Sequence, residues 1–473
     1  MDGDEFRQWG YRFVDWVADY FENVGQYPVR PALQPGDIKK QLPEEAPQQG
    51  EPMDSVFADF QNIVLPGMTH WQHPSWFAYF SANNSPPSVL AELLTAGMGA
   101  QCMVWETSPA AAELEEVVLE WLRKLLSLPE GLSGVIQDTA STASLVALLT
   151  AREQVTGFES NRRGLKEPLM VYVSEEAHSS VEKGAKIAGF GKENVRKIPS
   201  DEAFAMIPEE LEKALAADKE RGLRPACVVA TVGTTSSSAI DPLEPIGRIC
   251  RRHKVWLHVD AAYAGTAAIL PEKQWIFEGA EHVDSLVFNP HKWMLTNFDC
   301  SAYYVKDTGA LIRTFEIHPE YLKTGVDAVV KNYRDWGIQL GRRFRALKLW
   351  FVLRSYGVEG IQSMVREHIR LAQLFKEWVE SHDLFEVMAP APLSLVCFRL
   401  NNGSPEDELD RLNRELLKRL NQTGRLLLTQ TSLKGKYVIR MAIDSHTTRE
   451  RNVRDAWSLI QDTAAGLPGG DPV

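Results

Sequence analysis

VWLHVDAAYAG (255–265) opens as a run of apolar residues broken only by His258, and it ends abruptly in Asp260 followed by small residues. Unbroken apolar runs of this length mark strands buried on both faces, the signature of parallel sheets rather than half-exposed antiparallel ones. Working outward, SLVF (285–288) is a second such run and ends in Asn289-Pro290-His291-Lys292-Trp293. Upstream lie CVVATV (227–232) and LMVYV (169–173); downstream lies SAYYV (301–305). Helical spacing fills the gaps at 179–189, 208–222 and 243–253. Strands alternating with helices predict an α/β architecture, a mostly parallel sheet with helices on both faces. Ligands in such sheets bind beyond the carboxyl ends of the strands.

The flanking regions differ. Residues 4–24 place Phe6, Trp9, Phe13, Trp16, Tyr20 and Phe21 at helical spacing. This stripe is wide enough either for an ordinary core or for a second subunit. Six prolines between 28 and 52 exclude helix and central strand there and predict an extended connector to a helix near 54–64. The tail predicts helices over about 341–380, strands at 385–389 and 393–400, a helix at 405–422, a hairpin of RLLLT (425–429) with KYVIRMAI (436–443), and a last helix over about 447–464. That is a small α+β unit.

With 473 residues, two to four units are expected at roughly 100–200 residues each. Hydrophobic residues at 44% and charged residues at 24% match globular proteins and exclude disordered, collagenous and coiled-coil classes. A formal charge of −12 disfavours nucleic acid as a partner. Five dispersed cysteines without a CxxC pair argue against a disulfide framework and a zinc site. The N-terminus lacks the pattern of a signal peptide, and no run reaches the roughly 18 apolar residues of a membrane helix. The expectation is a cytoplasmic protein without membrane contact.

Three features carry chemistry. Asp260 and Lys292 follow strongly apolar strands, where burial penalises an unpaired charge and turns a lysine into a nucleophilic amine. GVIQDTASTASLVALLTARE (134–153) runs from Thr139-Ala140-Ser141 into a helix, and hydroxyls with free N–H groups at a helix start hold anions. Each has a plainer reading, as salt-bridge lysine, paired aspartate or simple cap. Together they fit one cofactor, pyridoxal 5′-phosphate: its aldehyde takes the amine, its ring nitrogen the carboxylate and its phosphate the helix start. His178, after LMVYV, could stack on the pyridine. His70 and His73 are three apart but lack carboxylate companions, so no metal is expected.

NPHKW (289–293), HVDAAYAG (258–265), AHSS (177–180), PGMTHWQHP (66–74), FAYF (77–80) and LGRRFRALKLWFVLR (340–354) resemble the aromatic-L-amino-acid decarboxylases, within the group II pyridoxal-phosphate decarboxylases. The resemblance covers nearly the whole chain. It implies a fold-type I, PLP-dependent transferase-like homodimer with a seven-stranded, mostly parallel sheet and active sites at the subunit interface. It also implies a helical arm (1–80), a large cofactor domain (81–345) and a small C-terminal α+β domain (346–473). By motif, Lys292 bonds the cofactor, Asp260 pairs with the ring nitrogen, Ala262 packs beneath the ring and His178 stacks above it. Thr139, Ala140, Ser141, Asn289 and His291 match the phosphate region, and Thr235 a threonine near the ring oxygen. Trp71, Tyr79, Phe80 and His291 match the aromatic substrate pocket, and Cys102 and Met103 the part contributed by the partner subunit.

The segment 315–337 is polar and poorly periodic, which predicts a lid. Tyr321 on it matches the family's loop tyrosine, which protonates Cα. Members that make aldehydes typically carry Phe there or Asn at the stacking histidine, so Tyr321 and His178 imply a plain decarboxylase over an aldehyde synthase. Intact Lys292, Asp260 and His178 weigh against a non-catalytic binding protein. Gly341 matches a position that is glycine in indole-type plant members and serine in phenol-type ones. This chain departs at Asp138 and Thr139, where animal members have glycine and serine, and at Ser81-Ala82, where they have Pro-Thr.

Overall fold

The computed structural model describes residues 1–317 and 329–467. These form two compact units, one of Met1–Ser81, Gln373–Met388 and Val396–Val473, the other of Ala82–Ala372 and Ala389–Leu395.

The second unit is built on a seven-stranded sheet: β1 (Ser133–Gln137), β2 (Leu169–Ser174), β3 (Val195–Ile198), β4 (Arg224–Thr231), β5 (Trp256–Asp260), β6 (Ser285–Phe288) and β7 (Ser301–Val305), in spatial order β1-β7-β6-β5-β4-β2-β3. Pairings among β3, β2, β4, β5 and β6 are parallel; β7 runs antiparallel to both β6 and β1. The apolar runs at 169, 227, 256 and 285 are therefore strands, as their composition requires. β1 and β3 were not anticipated. SGVIQ has only two apolar residues between glycine and glutamine, and VRKI is an edge strand with Arg196 partly buried and Lys197 exposed.

Two details bring the strand tips together. His258, the polar residue inside β5, is fully buried. Its ring nitrogens sit 2.9 Å from Ser285 Oγ and 3.2 Å from Ser144 Oγ, and burial lowers its pKa to about 4. It is a neutral pin between β5, β6 and the helix Ala140–Val155. Gly265, just past β5, lies where a Cβ would come 2.5 Å from Phe288 Cβ at the end of β6, so no larger residue fits without a shift.

In the first unit the helix Gly3–Asn23, capped by Asp2 Oδ1, lays its aromatic stripe on the next helical segment, with Trp9–Phe57 and Trp16–Phe60 ring pairs at 6.0 and 5.0 Å. Phe6, Tyr11 and Val14 stay exposed. A four-stranded sheet pairs β10 (Thr429–Leu433), β11 (Lys436–Ala442), β9 (Leu395–Leu400) and β8 (Phe385–Val387) in that order. The hairpin thus differs from the expected pairing of 425–429. Three consecutive leucines cannot alternate inward and outward, whereas TQTSL does so as a half-exposed edge. Lys434 and Gly435, both at positive φ, supply the two-residue turn that hairpins favour. The leucines are instead buried, and Leu427 bridges in parallel to Trp76.

The segment expected to be a lid is packed at its C-terminal end. Tyr333 and Trp336 are buried, Arg342 lies 4.6 Å over the Tyr333 ring, and Gln137 Nε2 donates to Trp336 O at 3.0 Å. Two aromatics three residues apart belong to the core, and the polar residues between them masked that signal. Tyr321 lies outside the described residues.

Candidate active site

Asp260 closes β5 and is 5% exposed; its Oδ1 accepts from Ala262 N at 3.0 Å. Among the described residues it forms no ion pair with lysine or arginine. A buried carboxylate in that state requires a cationic partner. β6 leads into the short helix Pro290–Trp293, whose backbone is fixed on every side of Lys292. Lys292 N donates to Asn289 O at 2.9 Å, Lys292 O accepts from Asn83 Nδ2 at 2.7 Å, and Asn289 N donates to Ala262 O at 3.0 Å. Asn289 Oδ1 in turn accepts from Ser301 Oγ at 2.7 Å.

His178 caps the helix Ser179–Ile187, its Nδ1 accepting from Ser180 N at 3.2 Å, with Ser180 Oγ at 2.7 Å. That leaves Nε2 as the ring's donor. Burial lowers the His178 pKa, the Asp260 carboxylate opposes that shift and the Lys292 ammonium adds to it. Asp260 and Lys292 therefore both lie close enough to His178 to act on its charge. His291 is likewise neutral: burial and then Lys292 bring it down to about 3, and its Nδ1 accepts from Cys300 N at 2.9 Å.

Thr139 caps the helix Ala140–Val155 through Oγ1, 3.3 Å from Thr142 N. Asp138 folds back on the same turn, accepting from Thr139 N at 2.6 Å. The first-turn N–H groups of Ala140 and Ser141 have no acceptor among the described residues, and Ser141 is exposed. A buried carboxylate without a lysine or arginine partner among the described residues, a half-buried lysine and the first-turn amides of a helix start fit pyridoxal 5′-phosphate. Thr235 and Ala262, at the tips of β4 and β5, are half-buried.

The remaining predicted residues fall into two groups. Within the second unit, Cys102, Met103 and Gly341 meet: Cys102 N donates to Arg342 O at 2.9 Å, Arg334 N to Met103 O at 2.9 Å, and Gln101 Oε1 accepts from Arg342 N at 2.7 Å. A Cβ at Gly341 would lie 3.0 Å from Gln101 Nε2. Arg342 itself is buried and paired with buried Glu115 at 2.6 Å. Within the first unit, Trp71 stacks on Tyr79 at 5.9 Å and 18° and lies tilted at 32° against Trp76 at 4.2 Å, while Phe80 is buried. His70 and His73 hold hydrogen bonds to Tyr20 and Ser75 N.

Sequence reasoning missed Asn83, Ser301, Glu115 and Arg342. Asn83 lies three residues after Phe80 of the FAYF motif, and an amide that close to an aromatic motif was a usable signal. Glu115–Arg342 had none, because its partners are 227 residues apart.

The conserved domain described as pyridoxal-dependent decarboxylase matches residues 35–401. Tryptophan decarboxylase 2 of Oryza sativa subsp. japonica is 45% identical over 480 residues, covering 99% of this chain and 96% of the relative. Phenylacetaldehyde synthase of Arabidopsis thaliana is also 45% identical, over 478 residues, covering 99% and 97%. A crystal structure of Oryza sativa TDC with PLP and tryptamine superposes with a TM-score of 0.95 at 38% identity, covering 98% of each chain.

Proposed function

This chain belongs to the pyridoxal-dependent decarboxylase family, and we propose that it converts aromatic L-amino acids to arylalkylamines and CO2, with pyridoxal 5′-phosphate as cofactor. The observation that carries the reading is the placement of His178, Asp260 and Lys292 just past the ends of β2, β5 and β6 of one sheet, close enough for the carboxylate and the ammonium both to act on the His178 ring. Bound, the cofactor supplies an electron sink for the pair released when the Cα–carboxylate bond breaks. Lys292 would hold the cofactor through its aldehyde until the substrate amine takes that place. The Asp260 carboxylate keeps the ring nitrogen protonated. The Ala140 and Ser141 amides, with the Thr139 cap and Asn289, orient the phosphate, and neutral His291 offers a donor beside the lysine. His178, neutral and held by Ser180, would stack on the cofactor ring and offer it Nε2–H, Ala262 would pack against that ring, and Thr235 would meet its oxygen. Trp71, Tyr79 and Phe80 supply an apolar wall for the aromatic ring.

Equal identity to a decarboxylase and to an aldehyde synthase leaves the outcome to individual residues. His178 and Tyr321 favour the amine: Tyr321 delivers a proton to Cα once CO2 has left. Purified protein given a panel of aromatic L-amino acids should yield amine and CO2 one to one, without hydrogen peroxide. Stoichiometric peroxide and aldehyde would make it an aldehyde synthase. Tyr321→Phe should move the product from amine toward aldehyde, ammonia and peroxide, because carbon left unprotonated can meet oxygen. A variant making only amine at the full rate removes Tyr321 from this step.

Gly341 favours acceptance of tryptophan or 5-hydroxytryptophan beside phenylalanine, tyrosine and DOPA-type substrates. Serine there would displace the Gln101 amide, and through it the Cys102–Met103 backbone. Gly341→Ser should lower the indole-to-phenol ratio of kcat/KM, by ~200-fold at most, since one small contact is worth about 1–3 kcal/mol. An unchanged ratio refutes this account of the pocket.

A homodimer is part of the proposal. The helix Pro86–Met98 exposes Leu90, Leu93, Leu94 and Met98 along one stripe, and contiguous apolar surface of this kind marks association. Cys102, Met103 and Gly341 would then complete the partner's pocket. Sedimentation at micromolar concentration tests it. Five free, buried cysteines support a cytoplasmic setting. No helix among the described residues is long and apolar enough to cross a membrane.

A further inference from the structure

The aromatic wall does not stand alone in the first unit. From Ser75 onward, every second residue is tied to the C-terminal part of the chain. Ser75 O accepts from Leu427 N at 3.2 Å, and Phe77 N donates to Leu427 O at 3.0 Å while Phe77 O accepts from Ala442 N at 3.0 Å. Tyr79 N reaches Thr429 Oγ1 at 3.3 Å and Tyr79 O accepts from Arg440 Nη2 at 3.4 Å. Ser81 gives Asp444 both its N–H, at 3.1 Å, and its hydroxyl, at 2.6 Å. Period two is the repeat of an added strand, but the strand is interrupted: Tyr79 sits at φ 54, the left-handed region that non-glycine residues enter rarely. That backbone persists only where its neighbours hold it. The holders are on either side. Buried Arg440 bonds Thr429 Oγ1 at 2.9 Å and places its guanidinium 5.3 Å over the Phe80 ring. Fully buried Asp444 fixes Ser81.

We infer that Ser81 and Asp444, with Thr429, are positioning residues for substrate recognition: they lock Tyr79 in its left-handed conformation and so set the Trp71–Tyr79–Phe80 wall against which the substrate ring packs. This rests on the reading of that wall as the aromatic pocket. It gives the departure at position 81 a physical meaning. A proline there has neither N–H nor hydroxyl to give Asp444, so a chain with proline must fix its wall another way.

The test uses the holoenzyme of Ser81→Ala, Ser81→Thr and Thr429→Val. Ser81→Ala and Thr429→Val should raise KM for aromatic substrates about 5- to 20-fold, with kcat within about threefold and the cofactor's visible band unchanged. The near-ultraviolet circular dichroism of the Trp71, Trp76 and Tyr79 cluster should weaken in parallel. Ser81→Thr, which keeps the hydroxyl, should restore both. An unaltered KM and dichroism in Ser81→Ala and Thr429→Val overturn the inference, as does a lowered melting temperature without a KM change. If the wild type acts on no aromatic substrate, the pocket reading fails, while the dichroism still reports whether the lock exists.

Discussion

Lys292→Ala is expected to abolish steady-state decarboxylation, because it removes the amine that would carry the cofactor aldehyde and be exchanged for the substrate amine. The substitution removes chemistry without removing structure. The Lys292 backbone is held from both sides by Asn289 O and Asn83 Nδ2, and neither contact uses the side chain. The buried Trp293 beside it stays stacked on Tyr263 at 4.9 Å and 7°, with its indole N–H on His368 Nδ1 at 2.9 Å. The variant should therefore fold and bind the cofactor weakly through Asp260 and the helix start, but lose the visible band of the covalently held cofactor. His178 supplies an independent readout. The Lys292 ammonium helps to lower its pKa, so the His178 pKa should rise in Lys292→Ala cofactor-free protein when followed by NMR. A variant with ordinary turnover would mean that another amine carries the cofactor.

Asp260 and Lys292 were legible because one ends, and the other closely follows, a strand whose apolar continuity is itself a burial signal. The two strands lie side by side, β5 next to β6, an order that the apolar runs themselves do not state. Tertiary features with no periodic trace were not legible. Ser81 and Asp444 are 363 residues apart, and nothing local to either announces the pair. The positive φ of Tyr79 is imposed by its neighbours against the preference of a tyrosine. The hairpin at 429–442 went wrong for a related reason. The apolar content of RLLLT was taken for a strand when its leucines serve core packing, and the more polar TQTSL pairs instead. The buried end of the expected lid, Tyr333 to Trp336, was hidden by Arg334 and Asp335 between its two aromatics.

Asp260→Ala separates two roles that the geometry gives one carboxylate. It is the cation partner of the site, and it also accepts the Ala262 N–H that shapes the turn after β5. Removing one member of a buried charged pair costs ~3–5 kcal/mol, which at about 1.4 kcal/mol per tenfold is roughly 10²–10⁴-fold in cofactor affinity and rate together. Asp260→Asn keeps an oxygen for Ala262 N and discards only the charge. If the turn were all that mattered, the asparagine variant would recover most of the activity lost in alanine. If the charge keeps the ring nitrogen protonated, both variants should fall by comparable factors. The His178 titration should move with them. Asp260 is the group that opposes the lowering of its pKa, so Asp260→Asn should push that pKa further down in cofactor-free protein. Activity near wild type in Asp260→Asn, with His178 titrating where it did before, would leave Asp260 a turn residue and the ring nitrogen without its partner.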